Sequence, residues 1–362
     1  MSRYLSDRFA QLDVYVPGEQ PGDMEYIKLN TNEPPYPPAP GVIAALSENE
    51  IKKLNLYPNP DGTRLLNKIA EFYGVNRENV IIGNGSDELL AFAFLAFCDK
   101  VRGVVFPDIT YGFYPVYARL YGIPYEQISL KDDFTIDSAG YFNIGKNVVI
   151  ANPNAPTGVA LPLADIEAVL RSNHNHIVLI DEAYVDFGAE SAISLTHEFD
   201  NLIVIHTYSK SRSMAGARLG YAIAQEPLIE DLNKMKYSFN PYNVNRITQL
   251  AGEAALENED YYRKMRREII ETRGYTAARL KELGFIMTES SANFVFAKHT
   301  VIGGYELYAA LKERGILVRH FNKPRISDHL RITIGTKEQM DALFTTVKTI
   351  LAERTKLCEK AK

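Results

Sequence analysis

A lysine that does covalent chemistry needs an amine that is partly neutral and a cleft to reach into. Lys210 is placed for both. It lies in the segment TYSKSRSMAGARLG, residues 207–220, between two short apolar runs at 201–206 and 221–224, which read as buried strands. Desolvation or a cationic neighbour lowers a lysine pKa, and the neutral amine is the nucleophile. Arg218, further along the same segment, can return to the cleft as an anion clamp. Taken alone, a Ser-Lys pair is more often a solvated basic turn, so the weight falls on what accompanies it.

Other chemical groups stand at similar places along the chain. Residues 79–82 read as a strand, followed by GNGSDE at 83–88 and an apolar helix over 89–97. A helix opening on Gly85, Ser86 and Asp87 presents free N–H groups and a positive dipole end. These suit a phosphate, although Ser86 or Asp87 can equally serve as a plain helix cap. Tyr111 follows the strand 103–106, where an aromatic either stacks on a flat ligand or packs into the core. Asn152 and Asn154 follow the apolar run 147–151, and Asp181 and Tyr184 follow 177–180. In a parallel α/β sheet the C-terminal strand ends form one edge, and ligands bind there.

The elements needed to position these groups are also legible. Strands and helices alternate from about residue 79 to 224, which predicts an α/β three-layer sandwich around a mainly parallel sheet. Residues 41–258 read as this large domain. Residues 1–40 are proline-rich and irregular, an arm assigned to the smaller domain. Residues 259–362 read as that smaller α+β domain, with a long helix at 260–283 bridging the two.

Composition narrows the function classes. The 362 residues, 46% of them hydrophobic, can bury a large core, and the length suits two domains. A net charge of −5 gives no broad cationic field for nucleic acid. Cys98 and Cys358 are far apart and form no metal-type or redox pair, which fits a reducing compartment. The N-terminus lacks the apolar core of a signal peptide, and no apolar run reaches the ~20 residues of a membrane span. A cytoplasmic protein with no metal, membrane or nucleic-acid partner is the expectation. A nicotinamide enzyme is disfavoured, because no GxGxxG follows an early strand.

Six motifs, each weak alone, occur in order from YVPG at 15–18 to LRITIGT at 330–336. Together they resemble the class I and II aminotransferases of fold type I, which use pyridoxal 5′-phosphate (PLP). The resemblance covers nearly the whole chain. It implies that Lys210 holds PLP covalently and moves the substrate proton. Asp181 would face the pyridine nitrogen, Tyr184 would donate to the ring 3′-oxygen, and Tyr111 would stack on the ring. Gly85, Ser86 and Asp87 would hold the phosphate together with Thr207, Ser209 and Arg218. Tyr57 would reach that phosphate from the neighbouring subunit of a homodimer with shared active sites. One departure is visible. The family reads Asn-Asn-Pro-Thr-Gly, whereas this chain has Asn154, Ala155 and Pro156. Either Asn154 or Asn152 then turns to the 3′-oxygen, or Tyr184 serves alone.

The resemblance also implies a substrate side. Arg331 matches the arginine that takes the substrate's distal anion, with Arg319 assisting. Arg325 is a third candidate, for which a surface role is expected. Tyr15 would line the pocket, with Asn30 and Asn32 supporting its wall. The implied reaction transfers an amino group between histidinol phosphate and 2-oxoglutarate. An aromatic amino acid, or decarboxylation of threonine phosphate, are the alternatives within the fold. A non-catalytic PLP-binding regulator is more distant, since only about 40 residues precede the core.

Overall fold

The computed structural model describes residues 2–10, 12–20, 22 and 24–360. The apolar runs become a seven-stranded sheet. Its order is Val80–Asn84, Leu219–Ala224, Leu202–Thr207, Val178–Asp181, Asn147–Ala151, Val104–Pro107, Tyr125–Ile128. The strands from Leu202–Thr207 to Tyr125–Ile128 pair in parallel, while Leu219–Ala224 runs antiparallel to both its neighbours. That reversal follows from the short link at 208–218. It turns back at the sheet edge where it starts, as an antiparallel pair permits, so Lys210 stays at that edge.

Both faces of the sheet are covered, which is why its central strands read as unbroken apolar runs rather than alternating ones. Ile150, Ile180 and Val204 face one core with Leu65 and Ile69. Val149, Leu179 and Ile203 face the other with Phe94, Phe106 and Tyr114. This alternation is the two-residue period of a strand.

A second sheet of four antiparallel strands has the order Arg319–His320, His329–Thr333, Phe294–His299, Phe285–Met287. It packs with the helices Gly304–Glu313 and Lys337–Lys360 around a third core that includes Leu307, Leu330 and Phe344. The N-terminal segment joins this part through Ile27–Lys28, which pairs in parallel with Ile316–Leu317. The helix Glu259–Glu282 contributes Tyr262 to a core of the large sheet and Ile269 and Leu280 to the third core.

Arg325 gives a further tie between the two parts. Its guanidinium pairs with Asp108 at 3.0 Å and donates to the Leu130 and Lys131 carbonyls at 2.8 and 3.0 Å. Cys98 is a free thiol, and the Cys358 side chain lies outside the described residues.

Candidate active site

A cavity of about 800 Å³ opens at the C-terminal strand ends and is lined from both sheets and from the N-terminal segment. Asp181 closes its strand, directly opposite Ala151 in register, and Thr207 closes the next one.

Lys210 projects from the link after Thr207. Its Nζ donates to the Thr31 carbonyl at 2.9 Å. Burial, with Arg331 nearby, brings the amine down to about 8, while Glu33 and Asp87 oppose the shift. A substantial neutral fraction near physiological pH is what a proton-moving lysine requires.

Asp181 is buried, and burial raises its carboxyl to about 6. Hydrogen bonds from the Tyr114 hydroxyl and the Ala183 N–H oppose that rise. Tyr184 accepts a hydrogen bond from Asn32 Nδ2 at 2.9 Å. Its own proton is therefore available to the cavity, and burial holds the phenol above its usual range. Asn32 itself is buried and bonded to Thr333, so it reaches the cavity wall through Tyr184.

The helix Gly85–Phe97 points its N-terminus at the cavity, where Ser86 and Asp87 form part of the lining. Gly85 has φ of +77°, and a Cβ there would come within 2.6 Å of Arg218 Nη2. A Cβ at Gly220 would sit 2.5 Å from the Ser86 nitrogen. Both glycines are needed to keep this cradle open and let Arg218 lie against it. The Asp87 carboxylate accepts from the Tyr111 hydroxyl at 2.8 Å and pairs with Arg218 at 3.1 Å. It orients those two groups, and only its backbone N–H is suited to an anion. Thr207 and Ser209 add hydroxyls, joined to each other at 2.9 Å.

The asparagine expected at the 3′-oxygen does not face the cavity. Asn154 spends its Nδ2 on the Ile109 carbonyl at 2.9 Å and on Thr157 Oγ1 at 3.0 Å. Asn152 bonds the Leu161 backbone with both ends of its amide. The residues that reach the lining from this loop are Ala155 and Pro156. The structure thus does not bring Asn154 to the cofactor side as expected: its Nδ2 is committed to holding the loop, its buried Oδ1 has no partner, and it is not part of the lining.

On the substrate side, Tyr15 stacks on Phe113 with centroids 4.4 Å apart and lies 6.0 Å from Tyr111. Asn30 lines the cavity and donates to the Glu19 carbonyl. Arg319 and Arg331 are cross-strand partners. Arg319 donates to the Val16 and Pro17 carbonyls at 3.1 and 3.2 Å. Arg331 donates to the Asn30 carbonyl at 3.0 Å, and its buried Nε has no partner. Arg325, tied to Asp108, is not part of the lining. Neither is Tyr57, which is 78% exposed and stacks on Tyr242. Glu33, Phe321 and Lys323 line the cavity without having been singled out in the sequence. Glu33 is held by Lys28 at 2.6 Å and by Thr31.

These groups fit PLP. The glycine cradle with Arg218 suits a phosphate, the buried Asp181 suits a protonated ring nitrogen, and Lys210 offers an amine of lowered pKa. Fold and cavity together define a PLP-dependent enzyme of the aminotransferase class, and residues 24–347 match the family model for aminotransferase class I and II. The chain belongs to this family, within its histidinol-phosphate aminotransferase branch. The histidinol-phosphate aminotransferase of Brachyspira hyodysenteriae is 49% identical over 97% of this chain and 99% of its own. That of a Marinomonas species is 51% identical over 97% of this chain and 100% of its own. The crystal structure of histidinol-phosphate aminotransferase from Sinorhizobium meliloti in complex with pyridoxal-5′-phosphate has the same fold. Its TM-score is 0.85 at 22% identity, covering 96% of this chain and 100% of that one.

Proposed function

We propose that the protein transfers the amino group of histidinol phosphate to 2-oxoglutarate, giving imidazole acetol phosphate and glutamate, as a step in histidine biosynthesis. The observation that carries this reading is the Arg319–Arg331 pair. Arg319 and Arg331 are cross-strand partners, and both guanidinium carbons lie near the Phe321 ring, at 5.6 and 5.7 Å from its centroid; two like charges so placed disfavour each other unless an anion joins them. One of them also keeps a buried, unpartnered Nε. A phosphate, with three acceptor oxygens and a double charge, satisfies two guanidinium forks, whereas one carboxylate is satisfied by one.

PLP, when bound, supplies the electron sink for the pair left behind as the substrate Cα loses its proton. The residues have separate tasks in this reading. Lys210 Nζ would take the proton from the substrate Cα and deliver it to the cofactor's C4′. Asp181 would keep the ring nitrogen protonated, and Tyr184 would donate to the 3′-oxygen without help from an asparagine. Tyr111 would flank the ring. The backbone N–H groups at Gly85, Ser86 and Asp87 would hold the phosphate with Thr207, Ser209 and Arg218. Tyr15 covers the substrate, and Asn32 orients Tyr184.

A substrate panel tests the reading. Histidinol phosphate should give the highest kcat/KM, ahead of phenylalanine and of threonine phosphate. A higher value for either of these, or release of CO₂ from threonine phosphate, would reject it. Arg331→Gln should raise KM for histidinol phosphate by roughly 100-fold, the worth of a charge-assisted pair in a buried site. The variant should retain more activity toward a neutral-tailed aromatic donor. Equal losses on both substrates would count against the arginine as the phosphate clamp.

The reading includes a cytoplasmic homodimer with shared sites. Tyr57 is held outward by its backbone: its carbonyl accepts from Arg246, the Asn59 carbonyl from Gln249, and the Pro60 carbonyl from buried Lys236. Ile51, Leu54, Leu56 and Phe239 are exposed as well, and an apolar surface of this kind favours a protein partner. Tyr57→Phe should weaken PLP binding about tenfold, as loss of a hydrogen bond to a charged group would. Heterodimers of Tyr57→Phe with Lys210→Ala chains should regain one intact site of two, read as recovered PLP affinity and turnover. Absence of recovery in isolated heterodimers would exclude a shared site.

A further inference from the structure

Asp181 has a partner that was not among the candidate site residues read from the sequence. Tyr114 opens the helix Tyr114–Tyr121, and its hydroxyl donates to Asp181 Oδ2 at 2.9 Å. The other carboxylate oxygen accepts the Ala183 N–H at 3.2 Å. Tyr114 is fully buried and does not line the cavity. Its ring is fixed by Phe94, Phe106 and Tyr111, with centroids 6.3, 5.8 and 5.7 Å away. Burial and the adjacent Asp181 hold the phenol well above its usual range, so it remains a donor. Two further charged or titratable groups act on Asp181: Asp87, which disfavours its ionised form, and His206, which favours it.

We propose that Tyr114 is a positioning residue: its hydrogen bond fixes the orientation of the Asp181 carboxylate and keeps that carboxylate ionised toward the cofactor's ring nitrogen. This rests on the binding of PLP and is independent of which amino donor is used. A donor to the ionised form of a carboxyl favours that form, and a carboxylate deprived of one in a dry site is driven toward neutrality. The neutral carboxyl also loses the directional bond that sets its rotamer.

Tyr114→Phe keeps the ring and deletes only the hydroxyl, and the first readout needs no cofactor. Asp181 is raised from 3.8 to about 6 in the folded protein. A carboxyl raised on folding lowers stability progressively as pH rises through that window, and fully above it. Removing the donor raises it further. The melting temperature of the Tyr114→Phe apoprotein should therefore match its parent closely below about pH 5 and fall increasingly below it as pH rises through and past about 6. A role in packing alone gives an offset that does not vary with pH, which would overturn the proposal.

The second readout is PLP affinity by absorbance titration. Tyr114→Phe should weaken it about tenfold in the parent protein. In an Asp181→Asn background the same substitution should change it less than about twofold, since the two groups act as one unit. Retention of the full loss in that background contradicts the proposal. Should Tyr114→Phe fail to fold in both backgrounds, the role is structural and the proposal fails. Folding rescued by Asp181→Asn supports it.

Discussion

Replacing Lys210 with alanine is expected to lower kcat by at least about 10⁴-fold, because a single side chain serves both as covalent anchor and as proton carrier. The amine is desolvated, lies beside Arg331, and is lowered to about 8. Among the described residues the other lysine lining the cavity is Lys323, from the loop between Arg319–His320 and His329–Thr333. Two measurements check this. Single-turnover kinetics with saturating PLP should show no conversion on the timescale of the parent enzyme. The absorbance of PLP bound to the variant should resemble that of free PLP. Turnover within tenfold of the parent would remove Lys210 from the chemistry.

The second large effect concerns Asp181. Asp181→Asn should lower kcat roughly 10³-fold, the scale of losing one preorganised electrostatic group in a water-excluded site. The same substitution should stabilise the apoprotein. The carboxyl moves from 3.8 unfolded to about 6 folded, so its burial costs nothing below about pH 4 and is fully unfavourable above about pH 6. Asparagine has no such pH dependence. At pH 7 the variant should be more stable by about 2–3 kcal/mol, with the difference shrinking to zero near pH 4. Opposite changes in activity and stability at one position are the signature of a group kept for function. A variant that is both inactive and less stable at pH 7 would show Asp181 to be a structural carboxylate.

The parts of the site legible in the sequence were those where local pattern and chemistry coincide. Lys210, Asp181, Tyr184 and the Gly85-Ser86-Asp87 turn each follow an apolar run at once, and the sheet brings those run ends to one edge. Gly85 could be read as the opening of a helix after a strand, whereas the need for Gly220 shows only in its approach to the Ser86 nitrogen. What the sequence hid depends on side-chain direction or on distant pairing. Asn154 sits beside the expected position, yet its amide turns to the Ile109 carbonyl. Tyr114 looks like any core aromatic, since nothing local reveals an acceptor 67 residues away. The pairing of Ile27–Lys28 with Ile316–Leu317, which draws Asn30 and Thr31 to the cavity, joins opposite ends of the chain. The opposition of Arg319 and Arg331 likewise needs the register of two strands, although the family resemblance had already marked both residues.

The most direct test of the central claim is to locate the covalent link. The purified protein, loaded with PLP, is reduced with borohydride so that the attachment becomes permanent, then digested and mapped by mass spectrometry. The account predicts the cofactor's mass on the single peptide that carries Lys210, and on no peptide of the Lys210→Ala variant. A cofactor mass on a different lysine, or on none, would contradict it.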